Sequence, residues 1–214
     1  MHPIPFQLPR FYPILDTATL AQCECNVIAA AEALVEAGVR ILQYRHKDPW
    51  TQAHFDEAAQ IRNICQQAGV LFVINDRADF AYLLGAALHV GQDDLPPVAA
   101  RRVIGDQIMG FSTHNRLQLT RANDEPVDYL ALGPIFSTRS KLRPDPELGL
   151  ERLRELRPLT PKPVVAIGGI RQENARQVLA AGADSVAVIA ALWDTHASPK
   201  EIRQKAEEWL ALLA

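Results

Sequence analysis

Eight short β-branched or apolar runs, each separated from the next by a stretch of helical periodicity, constrain this 214-residue chain more than any other feature. The runs fall at 11–15, 40–45, 70–75, 87–90, 108–112, 129–136, 163–168 and 185–190. Between them apolar residues recur at steps of three and four. Across 51–67, for example, Phe55, Ala58, Ile61, Cys65 and Ala68 share a helical face, with Thr51 placed as N-cap. Gly38, Gly69 and Gly182 follow helical runs where a left-handed residue ends a helix. The stretches 164–167 and 186–189 are continuously apolar, as parallel strands covered on both faces are. Eight βα units predict a single (β/α)8 TIM barrel over residues 1–214, with 1–10 as an N-terminal extension; a doubly wound sheet is the alternative.

Composition narrows the partners. Twenty-two Lys and Arg against 25 Asp and Glu give a net charge of −3, without the basic excess or stripe that a nucleic-acid binder needs. Hydrophobic residues at 48% and charged ones at 22% suit a globular domain with a real core. Cys23, Cys25 and Cys65 are too few and too irregular for a disulfide framework, and Cys23-Glu24-Cys25 lacks zinc-knuckle spacing, so they read as reduced thiols. Residues 1–9 contain three prolines and no apolar run of signal-peptide length, and no run reaches membrane-spanning length; a cytoplasmic protein without membrane contact is expected. Trp193 and Trp209 on the outer helices suit either a homo-oligomer interface or packing of the last helix.

A barrel carries its chemistry at the C-terminal ends of its strands. The second run ends in Gln43-Tyr44-Arg45-His46-Lys47, whose alternation puts Gln43, Arg45 and Lys47 on one face of an extended segment. Arg and Lys together suit an oligophosphate, a solvated strand edge being the plainer reading. The third run ends in Asn75-Asp76-Arg77-Ala78-Asp79, and the fourth leads into Gly91-Gln92-Asp93-Asp94-Leu95-Pro96. Carboxylates from neighbouring strand ends match Mg²⁺, which takes one or two of them plus water and phosphate oxygens. Asp79, and Asp93 or Asp94, also suit helix N-caps. Ser112 and His114 pair a hydroxyl with an imidazole but lack a third orienting group, which favours hydrogen bonding to substrate over nucleophilic catalysis. Segment 137–148, with Arg139, Lys141 and Arg143, is long enough to close over a charged ligand. Gly168-Gly169 and the end of the eighth run occupy the recurrent phosphate position of barrels. Two anionic groups are therefore expected, one beside a metal and one at Gly169 and the last strand without one.

In register along nearly the whole chain, these motifs resemble the thiamine phosphate synthase family. The family's Gln-x-Arg-x-Lys appears as Gln43 to Lys47, its Asn-Asp-Arg as Asn75 to Arg77, and its Gly-Gln-x-Asp-Leu-Pro as Gly91 to Pro96. Its Gly-x-Ser-x-His is Gly110 to His114, its Gly-Pro-x-Phe-x-Thr-x-Thr/Ser-Lys is Gly133 to Lys141, and its Ile-Gly-Gly-Ile is Ile167 to Ile170. The resemblance implies a transferase that joins the aminopyrimidine methyl diphosphate to thiazole phosphate, giving thiamine phosphate and diphosphate. It implies that Gln43, Tyr44, Arg45, His46, Lys47, Asn75, Ser112 and Lys141 surround the pyrimidine diphosphate, with Arg45, Lys47 and Lys141 neutralising the leaving group. It further implies Thr138, Arg139, Ser140, Gly169, Ile189 and Ala190 around the thiazole phosphate, and one Mg²⁺ on Asp76 and Asp94. Ala190 stands where relatives often have serine and Ser140 where threonine is frequent, leaving that site more dependent on backbone donors. Gln118 occupies a place where an acid is common. The related thiazole tautomerases, with His114 as proton carrier, are the rival reading, and a non-catalytic thiamine phosphate binder is a third. Paired Asp76 and Asp94 beside Gln43, Arg45 and Lys47 favour the synthase.

Overall fold

Strands rich in Val, Ile and Leu hold together only where both faces are covered. The computed structural model, which describes residues 7–138 and 145–214, meets that condition by closing eight parallel strands on themselves. They are β1 (Phe11–Asp16), β2 (Ile41–Arg45), β3 (Leu71–Asn75), β4 (Ala87–Val90), β5 (Met109–Thr113), β6 (Tyr129–Leu132), β7 (Val164–Ile167) and β8 (Ser185–Val188). Spatial order follows sequence order, and β8 returns to β1 through Phe11 opposite Val186 and Tyr12 opposite Ala187. Helices alternate with the strands: α1 (Thr17–Gln22), α2 (Val27–Glu36), α3 (Gln52–Gln67), α4 (Ala78–Leu84), α5 (Pro97–Ile104), α6 (Arg116–Arg121), α7 (Gly149–Leu156), α8 (Gln172–Ala180) and α9 (Pro199–Leu213). The expected (β/α)8 TIM barrel is the fold.

Two-residue periodicity sorts the side chains into two cores. Tyr12, Ile14, Ile41, Val73, Ala87, Tyr129, Ala131 and Val165 fill the barrel interior, while Leu15, Leu42, Ile74, Leu88 and Leu130 point outward against the helices. Thr51 is the N-cap of α3, and Gly38, Gly69 and Gly182 lie just past helix ends with positive φ, as the sequence indicates. The capping role expected of Asp79 is corrected. Because α4 starts at Ala78 with Arg77 before it, Asp79 falls inside the first turn, where it faces the positive helix end and pairs with Arg77 at 2.5 Å. Asp93 and Asp94 do not cap α5 either, since Pro96 holds the N-cap position.

The sixth strand ends at Leu132 rather than 136, because Pro134 has no N–H for the ladder. Beyond it, Ile135 and Phe136 donate their N–H groups to Ile167 O at 2.9 Å and Gly168 O at 3.0 Å, so the chain still tracks the end of β7. Trp209 is fully buried, its ring stacked on Phe11 at 5.4 Å, and Trp193 is buried too, so of the two readings both tryptophans follow packing. All three cysteines are free, and no described helix is long and apolar enough to cross a membrane.

Candidate active site

Inward positions at the C-terminal ends of the strands carry polar groups where the lower layers carry apolar ones. On β2, Ile41 faces the interior, Gln43 follows it two residues on, and Arg45 comes next at the mouth; Lys47 continues the same alternation beyond the strand. Arg45 forms an ion pair with Asp16, the last residue of β1 and its partner in register. Asp16 is buried and is fixed in turn as the N-cap of α1, accepting from Thr19 N–H at 2.9 Å and the Thr19 hydroxyl at 2.6 Å. The guanidinium is thus held from behind by a carboxylate that is itself immobilised.

The side chains of Tyr44 and His46, expected around the pyrimidine diphosphate, go the other way. Period two turns Tyr44 outward, where it is buried and donates to Glu57 at 2.6 Å. His46 is buried beside α1 and α3, with Nδ1 2.8 Å from the Thr17 hydroxyl and its ring stacked 3.8 Å from His54. Only their backbone remains near the mouth.

Asn75 ends β3 buried, and its side-chain nitrogen has no hydrogen-bond partner among the described residues, which leaves a buried donor for a ligand. Asp76 follows with φ at +65°, a left-handed conformation that turns its carboxylate toward Lys47 Nζ at 2.5 Å. Asp94, on the loop after β4, accepts from Gly91 N–H at 2.7 Å, and its carboxyl group approaches that of Asp76 closely enough to share a proton. Burial, reinforced by Asp94 and opposed by Lys47, pushes the Asp76 carboxyl up to about 6. Burial acts upward on Asp94 as well, but hydrogen bonds from Asp76 and Gly91, with Lys47 nearby, hold it below the usual carboxylate range. Two crowded carboxylates reluctant to ionise together mark a place short of positive charge. Among the described residues no group of three or more His, Cys, Asp or Glu converges as a metal site. A two-carboxylate set of oxygen donors fits Mg²⁺, which fills its shell with water and phosphate oxygens.

Ser112 is half-buried at the end of β5, and His114 lies beyond it with Nδ1 2.6 Å from Gly133 O and Nε2 3.6 Å from Asp145. Gln118 receives the His114 backbone N–H at 2.7 Å, so its amide organises this loop. Across the mouth, Gly169 has φ of +64°, and a Cβ there would fall 2.5 Å from Ser137 O and 2.7 Å from Phe136 Cβ. Only glycine lets the β6 and β7 loops approach so closely. Thr138 and Ile189 are half-buried and Ala190 is exposed in the turn after β8. Arg139, Ser140, Lys141 and Arg143 lie outside the described residues. The structure therefore gathers Gln43, Arg45, Lys47, Asn75, Asp76, Asp94 and Ser112 on one side of the mouth, with Gly169 and Ile189 just past the ends of β7 and β8.

Sequence reasoning missed Asp16, Tyr12, His89 and Tyr129. A carboxylate directly after the apolar run 11–15 was the signal for Asp16, and polar residues at inward positions of otherwise apolar strands were the signal for the other three.

Comparison with known proteins bears on the family and the fold. The family described as thiamine monophosphate synthase matches residues 11–192. The thiamine-phosphate synthase of Koribacter versatilis is 46% identical over 211 residues, covering 97% of each chain, and that of Chloroflexus aurantiacus is 41% identical over 179 residues, covering 82% of this chain and 83% of its own. The solved thiamine phosphate pyrophosphorylase from Pyrococcus furiosus superposes with a TM-score of 0.78 at 29% identity, over 96% of this chain and 97% of that one. A tryptophan synthase structure from M. tuberculosis, at 17% identity and a TM-score of 0.68 over 97% of this chain and 93% of its own, shares the fold alone.

Proposed function

The chain belongs to the thiamine monophosphate synthase family and is a transferase of thiamine biosynthesis, and from that premise we propose how the mouth of this barrel divides the work of joining the aminopyrimidine methyl diphosphate to thiazole phosphate. The observation that carries the proposal is the inward row Gln43, Arg45 and Lys47 facing the coupled carboxylates of Asp76 and Asp94. Asp76 and Asp94 would hold one Mg²⁺, which would supply Lewis-acid neutralisation of the diphosphate charge. Arg45, oriented by Asp16, offers a guanidinium fork to the same group, and Lys47 exchanges Asp76 for a phosphate oxygen. Lys141, by family resemblance, adds a third cation.

The carbon–oxygen bond to the diphosphate breaks first, and its electron pair leaves with the diphosphate. The aminopyrimidine stabilises the methyl cation that remains, and the thiazole nitrogen captures it with its lone pair. No proton needs to move, so the site requires no general base; charge neutralisation at preorganised donors is the whole catalytic demand. Gly169 and the turn at Ile189 and Ala190 receive the thiazole phosphate through backbone donors, with Thr138 beside them. The free cysteines suit a reducing compartment, in keeping with a cytoplasmic location.

A diphosphate-release assay on the paired substrates tests this reading. Release is expected to need Mg²⁺, and Asp76→Ala is expected to lower it by about a hundredfold or more with the fold intact. Near-normal release in chelator, or from Asp76→Ala, sinks the metal assignment. Turnover of a thiazole carboxylate tautomer in chelator, without diphosphate release, would point to the isomerase instead.

A further inference from the structure

A continuous chain of side-chain hydrogen bonds crosses the barrel interior beneath the mouth. It starts at Gln43 on β2, whose Nε2 donates to the Tyr12 hydroxyl on β1 at 2.8 Å. Tyr12 and Tyr129 on β6 share a bond of 3.0 Å, Tyr129 lies 3.1 Å from His89 Nδ1 on β4, and His89 Nε2 lies 2.9 Å from the Ser112 hydroxyl on β5. Tyr12, Gln43, His89 and Tyr129 are all buried, so their polar atoms depend on partners within the protein.

Followed from the Gln43 end, with a neutral His89, the bonds of this chain run in one direction. The Gln43 amide nitrogen can only donate, so the Tyr12 oxygen accepts and its own hydrogen goes to Tyr129. Tyr129 then donates to His89 Nδ1, which places the ring proton on Nε2 and directs it at Ser112. The Ser112 oxygen is used as an acceptor, and its hydrogen is left to point elsewhere. At the other end, Gln43 directs one of its two amide hydrogens inward, and its carbonyl oxygen and second amide hydrogen remain for the mouth. Burial pushes both phenols up, keeping them protonated as the chain requires. Room for the Tyr129 to His89 contact comes from Gly110: a Cβ there would fall 2.1 Å from Tyr129 Cζ and 2.5 Å from His89 Nδ1.

We propose that Tyr129 and His89 are positioning residues that fix hydrogen-bond polarity at the mouth, with Gln43 and Tyr12 setting the direction of the chain, so that Ser112 meets the pyrimidine diphosphate as a donor. This rests on the reading above that Ser112 contacts that substrate. A hydroxyl donor complements the ring nitrogens of an aminopyrimidine.

The test is steady-state kinetics of Ser112→Ala, Tyr129→Phe and their double variant, with Tm for each. Ser112→Ala and Tyr129→Phe should each lower kcat/KM for the pyrimidine diphosphate about tenfold, leaving KM for thiazole phosphate near wild type. The double variant should be no more than about threefold worse than Ser112→Ala, because Tyr129 acts through Ser112. His89→Gln, whose amide nitrogen still reaches toward Ser112, should retain more activity than His89→Asn, which keeps only the Tyr129 side. This pair decides the matter if Tyr129→Phe fails to fold. A harmful Ser112→Ala beside a silent or fully multiplicative Tyr129→Phe, or His89→Asn outperforming His89→Gln, overturns the proposal alone. A silent Ser112→Ala overturns the substrate assignment and the proposal with it.

Discussion

Asp76 shows how much one residue can be asked to do at a strand end. Its backbone is left-handed, its carboxylate bonds Lys47, and its neighbour Asp94 resists a second negative charge. Aspartate tolerates that conformation better than most residues, and such strain concentrates at functional positions. Because the folded carboxyl binds its proton more tightly than the unfolded chain does, this group's contribution to stability is present at low pH and is lost as pH rises through about 6. Mg²⁺ must displace the same proton. Its affinity, measured by titration calorimetry, should therefore fall by about tenfold per pH unit as pH is lowered past that point, and a flat profile would count against the site. Asp16→Ala is expected to cost about 2–3 kcal/mol in urea denaturation, since it removes a helix cap and leaves Arg45 without its partner, and to raise KM for the pyrimidine diphosphate. Unchanged stability and KM would show that Arg45 is held by something else. Gln43, Arg45 and Lys47 were legible because alternation along a strand is a local rule. Asp16 was not, because the expected strand stopped at Leu15 and nothing in the sequence puts it beside Arg45.

At the scale of elements, the junction of β6 and β7 decides the shape of the thiazole phosphate side. Pro134 ends the β6 ladder early, yet the following residues keep bonding to Ile167 and Gly168, so the two loops run in close contact. Gly169→Ala adds a methyl group into Ser137 and Phe136 on a backbone that disfavours it. KM for thiazole phosphate should rise about tenfold, from a strain of about 1–2 kcal/mol, while KM for the pyrimidine diphosphate stays within about twofold. Equal effects on both substrates would mean that this junction does not separate the two sites. Element type and order were readable from periodicity; the four-residue error at the end of β6 arose because apolar residues continue past the proline that breaks the ladder.

For the whole molecule, the last helix reaches back to cover the first strand where the barrel closes. Trp209 on α9 stacks on Phe11 of β1, and Arg10 bonds Leu213 O at 3.1 Å and Ala214 O at 3.2 Å, tying the two ends of the chain together. Trp209→Ala should cost about 3–5 kcal/mol in chemical denaturation with little effect on turnover per folded molecule. A loss below about 1 kcal/mol would place the closing contact elsewhere. Charge also behaves differently at this scale. A chain with net charge −3 can receive strongly anionic substrates because Arg45 and Lys47 are gathered at one mouth, where the Mg²⁺ proposed on Asp76 and Asp94 would offset the acids beside them.

The sequence by itself determined the barrel and the kinds of side chain at each strand end, because two-residue and 3.6-residue periods are local and eight strands of this length have one economical way to close. Only the tertiary structure decided which of those side chains meet. Tyr12 and Tyr129 are 117 residues apart, and Asp16 and Arg45 are 29 apart. Their contact follows from strand register and from the closure of the sheet, which depend on all eight strands at once and leave no trace in any single segment.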